Sequence, residues 1–161
     1  LHYEKYIKLD INSSANPDIL GSVENMPIDD GSIDSIISTQ VLEHVKDSQK
    51  AIEEFYRVLK IGGHCLLTAP QYSESHEEPN DYFRFTKFGL EALFQKAGFK
   101  IIKIERRGGF WGVNSQISVR YAIDLLNLKK HSLIQKIFNP LFWVCGMVAI
   151  GLDAVDKVEL I

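Results

Sequence analysis

The run from Asp29 to His44 sets the tightest limit on what this chain can fold into. Asp29-Asp30-Gly31-Ser32 is turn chemistry, and it leads into a short apolar segment, Ile33 to Ile37. That segment is apolar enough to be a strand buried on both faces. It ends in three small or polar residues, Ser38, Thr39 and Gln40, followed by Val41-Leu42-Glu43-His44. In open α/β sheets ligands gather beyond the carboxyl ends of the strands, which places Ser38, Thr39 and Gln40 where a cofactor would lie.

The surrounding sequence extends the pattern. Tyr6 to Ile11 reads as a short strand ending in an acid, Asn12 to Pro17 as a turn, and Asp18 to Gly21 as a second short strand. Asp47 or Ser48 can cap a helix whose apolar positions, Ala51, Ile52, Phe55, Val58 and Leu59, recur at three- and four-residue steps. Gly62-Gly63 reads as its glycine stop, and His64 to Ala69 as the next strand. Thr86 caps a further helix ended by Gly98, and a strand follows at Phe99 to Ile104. The periods predict strands at about 5–10, 18–22, 33–38, 64–69 and 99–104, with helices at about 48–60 and 86–97. Alternating strands and helices imply βαβ units, hence a doubly wound, mostly parallel α/β sheet. From about Asn114 the character changes. Leu125 to Leu152 is helical in composition and apolar towards its end, so the sequence divides into a core at 1–113 and a helical segment at 114–161 that completes or covers it.

Composition narrows the function classes. At 161 residues the chain is long enough for about one domain. A net charge of −3 with scattered Lys and Arg gives no basic patch, which argues against a nucleic-acid partner. Cys65 and Cys145 lie far apart without C-x-x-C spacing, consistent with a reducing compartment or with no need of a disulfide. The first residues are polar and charged, which predicts a cytoplasmic chain without a secretory leader. Lys129, Lys130, His131 and Lys136 precede the apolar run Leu141 to Leu152. That run is too short to span a bilayer but is compatible with peripheral membrane contact.

The order Asn25-Met-Pro-Ile-Asp-Asp-Gly-Ser-Ile-Asp to Val41-Leu-Glu-His44 resembles class I S-adenosylmethionine-dependent methyltransferases of the type 11 group. The resemblance covers roughly Tyr6 to Glu105 and implies a Rossmann-like methyltransferase fold with S-adenosyl-L-methionine as cofactor. No glycine-rich turn like that which opens the family's first strand precedes Tyr6, so the sequence is expected to be N-terminally truncated and to bind cofactor poorly by itself. In the same way Val158 to Ile161 stands where a last antiparallel strand would begin.

Under this resemblance Asp10 accepts hydrogen bonds from the cofactor ribose, with Ile11 beside it, as a carboxylate at a strand end can take two donors at once. An Asp at such a place is also common turn chemistry. Ser22, Val23 and Glu24 fall at the adenine. The family commonly has Asp where this chain has Ser22, so Ser22 or Glu24 takes over that contact, or the segment is a solvated loop. Ser38, Thr39 and Gln40 face the methionine end. Glu43 and His44 invite an acid–base reading, but adjacent residues on a helix point about 100° apart, and the family resemblance implies a packing role. No residue is singled out as the catalytic base.

Gln71 to Thr86 is long for a connection and dense in His, Glu, Asp, Tyr and Arg, which favours a functional loop. Similar E-P-x-D-Y-F-R-F-T segments occur in methyltransferases found alongside glycosyltransferases, where the loop covers the acceptor. His76, Asp81, Tyr82 and Arg84 are therefore candidate substrate residues. His76 or Asp81 would take a proton from a hydroxyl, and Arg84 would hold an anionic group. Equally, Asp81 and Arg84 can pair with each other and order the loop. With no second His or Cys at ligand spacing from His76, the sequence predicts no metal site. Gly108 to Gly112 reads as an aromatic turn that closes over an acceptor or packs on the sheet edge. The expected function is methyl transfer to a small-molecule or glycan hydroxyl. The alternatives are an inactive methyltransferase-like binding module and a membrane-surface accessory protein.

Overall fold

A computed structural model describes residues 5–125, 127 and 132–155, with side chains of the last segment described from 139 to 154. Lys129, Lys130 and His131, the side chain of Lys136, and Val158 to Ile161 lie outside the described residues. The chain divides into two compact units, Leu1–Gln71 with Ser75–Ile104, and Tyr72–Glu74 with Glu105–Ile161.

The first unit holds all the strands found among the described residues: β1 (Leu9–Asp10), β2 (Ile19–Leu20), β3 (Ile33–Thr39) and β4 (Leu59–Thr68). Both ladders among the described residues are parallel. β1 pairs with β2, Leu9 opposite Ile19, and β3 pairs with β4, with Ile36 opposite Cys65 and Thr39 opposite Thr68. The two pairs are not hydrogen-bonded to each other. The strand expected at 99–104 does not form. Phe99 and Ile101 pack against the core, yet no neighbouring backbone offers that segment a ladder, and a strand without a partner is not a strand.

Two helices follow the predicted boundaries closely. α1 (Ser48–Val58) is capped by Asp47, whose carboxylate accepts the Lys50 N–H at 3.0 Å. Its apolar side, Ala51, Ile52, Phe55 and Val58, is the centre of the core. α2 (Lys87–Lys96) is capped by the Thr86 hydroxyl, which accepts the Gly89 N–H at 3.1 Å. The glycine stop expected after α1 is a different device. Gly62 and Gly63 lie inside β4, which starts at Leu59 directly after the helix. Between Ile33–Leu59 and Ser35–His64 the register slips, so Lys60 to Gly63 bulge outward. Gly62 takes φ +81°, and a Cβ on Gly63 would approach the Lys60 and Asp34 carbonyl oxygens to 2.9 and 3.0 Å. Glycines here permit a bulge.

β3 is buried on one face rather than two. Ile36 and Ser38 turn towards the core, whereas Ile37 and its partner Leu66 are 57% and 60% exposed.

The second unit is a helix pair, α3 (Phe110–Leu125) and α4 (Ser132–Val155). Gly108 to Gly112, expected as an aromatic turn, runs into the first turn of α3 instead. The Asp153 carboxylate accepts the N–H groups of Gly109, Trp111 and Gly112 at 2.8 to 2.9 Å, which satisfies donors that a helix start leaves unpaired. A cleft of about 490 Å³ runs between the helices, lined by Trp111, Leu141, Val144, Cys145, Val148 and Leu152 among others. Among the described residues no helix is long and apolar enough to cross a membrane.

Candidate functional site

Within each parallel pair the carboxyl ends of the strands point the same way, and Asp10, Thr39 and Gln40 stand at or just past such ends. Asp10 closes β1. Its Oδ1 accepts the Asn12 N–H at 2.8 Å, and its Oδ2 has no partner among the described residues. Ile11 beside it is exposed. A carboxylate with one oxygen fixed and one open is oriented and still able to accept a donor.

Past β2 the chain turns tightly, Asn25 N–H donating to the Ser22 carbonyl at 3.1 Å. Val23 packs on the core. Ser22 Oγ accepts the Glu24 N–H (3.1 Å) and lies 3.4 Å from Glu24 Oε2, while Glu24 Oε1 accepts the Asp47 N–H (2.8 Å). Glu24 is thus engaged within the protein, tying this turn to the start of α1. The next residues are fixed by a group that the sequence reading missed. Glu54 accepts the Met26 N–H at 2.7 Å, and Arg57 donates to the carbonyls of Met26 and Ile28, to Glu54 and to Asp30. Arg57 beside it, with help from the Met26 N–H, holds the Glu54 carboxyl below its ordinary value despite burial. Glu54 and Arg57 stand three residues apart in α1, a spacing that could have been read as an ion pair but not as a clamp on a distant loop.

At the end of β3, Ser38 is buried and Thr39 exposed. Gln40 takes φ +53°, its N–H donates to the Thr68 carbonyl (3.0 Å) and its Nε2 to Thr68 Oγ1 (3.2 Å). A left-handed glutamine is uncommon and needs its surroundings to hold it. Leu42 to His44 then form one helical turn.

The loop after β4 docks on that turn. Phe85 N–H donates to the Pro70 carbonyl (2.9 Å) and closes the loop at its neck, while Tyr82 and Phe83 both donate to the Glu43 carbonyl. Of the two roles open to Asp81 and Arg84, the internal pair is formed. Arg84 Nη1 and Nη2 meet Asp81 Oδ1 and Oδ2 at 2.7 Å each, and Asp81 also accepts the His76 N–H at 2.9 Å. Those contacts, the guanidinium first, hold the Asp81 carboxyl well below the usual carboxylate range, so it is not a proton acceptor at neutral pH. Tyr82 Oη donates to Asn80 (3.0 Å), with Lys46 Nζ 5.9 Å from its ring centre. His44 and His76 meet edge to face, ring centres 4.8 Å apart.

Known proteins match this arrangement. Residues 4–67 match the family described as "Methyltransferase domain", type 11. Over that stretch the chain is similar to the type 11 group of class I S-adenosylmethionine-dependent methyltransferases. Over 97 residues it is 35% identical to 2-methyl-6-phytyl-1,4-hydroquinone methyltransferase of Spinacia oleracea, covering 58% of this chain and 28% of that protein. Over 104 residues it is 30% identical to phosphoethanolamine N-methyltransferase 2 of Caenorhabditis elegans, covering 64% and 23%. It therefore spans about a quarter of the length of these relatives. The crystal structure of the cyclase SpnF superposes with a TM-score of 0.52 at 21% identity, covering 80% of this chain and 47% of that one. This likeness concerns the fold, which is α/β and Rossmann-like. For a methyltransferase of this group the implied cofactor is S-adenosyl-L-methionine. Of the residues the resemblance assigns to it, Asp10, whose Oδ2 has no partner among the described residues, would suit a ribose, whereas Ser22 and Glu24, already engaged with each other, would suit the adenine less well.

Proposed function

We propose that this chain is the cofactor-holding part of an enzyme that transfers a methyl group from S-adenosylmethionine to a hydroxyl of a small-molecule or glycan acceptor. The observation that carries this reading is the Asp10 carboxylate, fixed at the end of β1 by one oxygen and open at the other. Asp10 would hold the ribose through that oxygen, with Ile11 beside it. Val23 would line the adenine, with Ser22 and Glu24 shaping the turn rather than reading the base. Ser38, Thr39 and the left-handed Gln40 would place backbone and amide groups near the methionine end. The cofactor supplies an electrophilic methyl group on a sulfonium, so the protein's main task is alignment. In the loop, the Asp81–Arg84 pair fixes the backbone, which leaves His76 and Tyr82 as the residues to orient a hydroxyl. The substrates in the relatives' names, a hydroquinone and phosphoethanolamine, support an acceptor of small size. The Ser22–Glu24 contact favours a second reading, a binding module that holds cofactor without transferring the methyl group. The exposed side chains of Leu141, Trp143, Val144 and Met147 on α4 support a peripheral contact with a membrane.

Calorimetric titration of S-adenosylmethionine into the full-length protein, wild type and Asp10→Ala, tests the cofactor assignment. Loss of a charge-assisted hydrogen bond is expected to cost about 1.5–3 kcal/mol, roughly 10- to 150-fold in affinity. Equal affinities would remove Asp10 from the site. Transfer of labelled methyl to hydroxylated acceptors, with none seen for a binding module, separates the two readings.

A further inference from the structure

Glu43 is fully buried, and among the described residues neither of its carboxylate oxygens has a hydrogen-bond partner. A carboxylate in that state costs several kcal/mol unless something neutralises it, and a buried polar group without a partner asks for a water or an ion. Two imidazoles lie close to it. His44 Nε2 is 4.0 Å from Glu43 Oε1, and one donor atom each from Glu43, His44 and His76 lie within 4.8 Å of one another.

We infer that Glu43, His44 and His76 form a binding site for one divalent transition-metal ion of the zinc type. The orientation of the imidazoles supports this. His44 turns Nδ1 to the Asn80 carbonyl at 2.6 Å, which directs Nε2 towards Glu43. His76 turns Nδ1 towards Asp81 Oδ2 at 3.7 Å. Histidine ligands are commonly fixed in this way, the second nitrogen held by a carbonyl or carboxylate. Two imidazoles and one carboxylate suit Zn²⁺ or Fe²⁺, whereas Mg²⁺ and Ca²⁺ prefer all-oxygen sets. At metal–ligand distances of about 2.0–2.1 Å, tetrahedral donor atoms stand about 3.3 Å apart, so the three groups need to close by at most roughly 1.5 Å. His76 sits on the loop and can make that move. Glu77 Oε2, 4.0 Å from His44 Nε2 on a side chain 75% exposed, is within reach of a fourth position that is otherwise open to water or substrate. Sequence spacing gave no hint of the site, since His44 and His76 are brought together only when the loop docks on the turn after β3. The ion would fasten that loop in place, and the assignment stands whether or not the cofactor reading holds.

The test is calorimetric titration of Zn²⁺ into chelator-treated, tag-free chain, with Co²⁺ absorption as a second readout of inner-sphere geometry. One equivalent bound at micromolar affinity or tighter is expected, with Mg²⁺ at least a hundredfold weaker. His44→Ala and His76→Ala should each lower Zn²⁺ affinity tenfold or more. His76→Ala retains the backbone N–H that Asp81 accepts, so its fold, followed by circular dichroism, should be unchanged. Glu43→Gln should abolish the rise in Tm that Zn²⁺ gives the wild type, without lowering the metal-free Tm. No binding at 0.1 mM Zn²⁺, which is on the order of a hundred times the expected Kd, would overturn the site. Binding that survives both histidine changes, or Mg²⁺ binding as tight as Zn²⁺, would overturn it as well.

Discussion

Arg57 shows how one side chain can fix a functional surface at a distance. Four of its contacts reach Met26, Ile28, Glu54 and Asp30, so the stretch between the candidate adenine turn and β3 is clamped to α1. Glu54 completes the clamp by accepting the Met26 N–H, with its side chain 16% exposed. Its folded-state pKa is lowered from 4.5, chiefly by the Arg57 hydrogen bond. The ionised group therefore stabilises the fold fully above pH about 4.5, and that contribution is lost as pH falls through the lower folded value. Glu54→Gln should cost about 1.5–3 kcal/mol at neutral pH, one charged hydrogen bond's worth. The gap between wild type and variant in urea unfolding should narrow below pH about 4.5. Curves that stay parallel from pH 7 to 3 would show that Glu54 is not part of the clamp. Cys65 is the opposite case, a thiol that burial alone pushes up to about 12, inert in the core.

At the scale of elements, what the sequence made legible were features with local causes. Asp47 and Thr86 cap where they were expected to, since a cap is written in the residue and its next three neighbours. Gly62-Gly63 was misread for the same reason. A glycine pair after a helix looks like a stop, and only the register against β3 reveals a bulge. The pairing of Asp81 with Arg84 was one of two readings left open, and the docking of His76 on His44 was invisible because it depends on a contact across the fold. The start of α3 had no local signal either, because its cap arrives from Asp153, more than 40 residues away. Burial raises the Asp153 carboxyl, but the Gly109, Gly112 and Trp111 N–H groups outweigh it and hold it low. A Cβ at Gly112 would come within 2.8 Å of Asp153 Oδ2. Gly112→Ala and Asp153→Ala should therefore each loosen the α3–α4 pair, by about 1–2 kcal/mol for loss of a cap. The double variant should cost little more than either single change, because both break the same contact. Additive losses in thermal unfolding would mean that the two residues act separately.

For the whole molecule, the question is what holds together the strand ends proposed to meet the cofactor. Two parallel pairs carry it, and hydrogen bonds do not join them. A two-stranded sheet is marginal without a packed face, and β3–β4 has one such face against α1, the other leaving Ile37 and Leu66 exposed. The open edge of β3 is then the weak point of the arrangement. Gln40 N–H points to Thr68 on β4, and N–H groups alternate in direction along a strand, so those of Ile36 and Ser38 also face β4. Those of Ser35, Ile37 and Thr39 face the open edge. In native-state hydrogen exchange the first set should be protected to near the global unfolding free energy, and the second should exchange at rates close to those of loops. Protection of Ser35, Ile37 and Thr39 would mean that β3 is paired on both sides in solution, by another segment or a second copy. In that case the edge carrying Gln40 would be the middle of a wider sheet, and its left-handed geometry would be held from two sides instead of one.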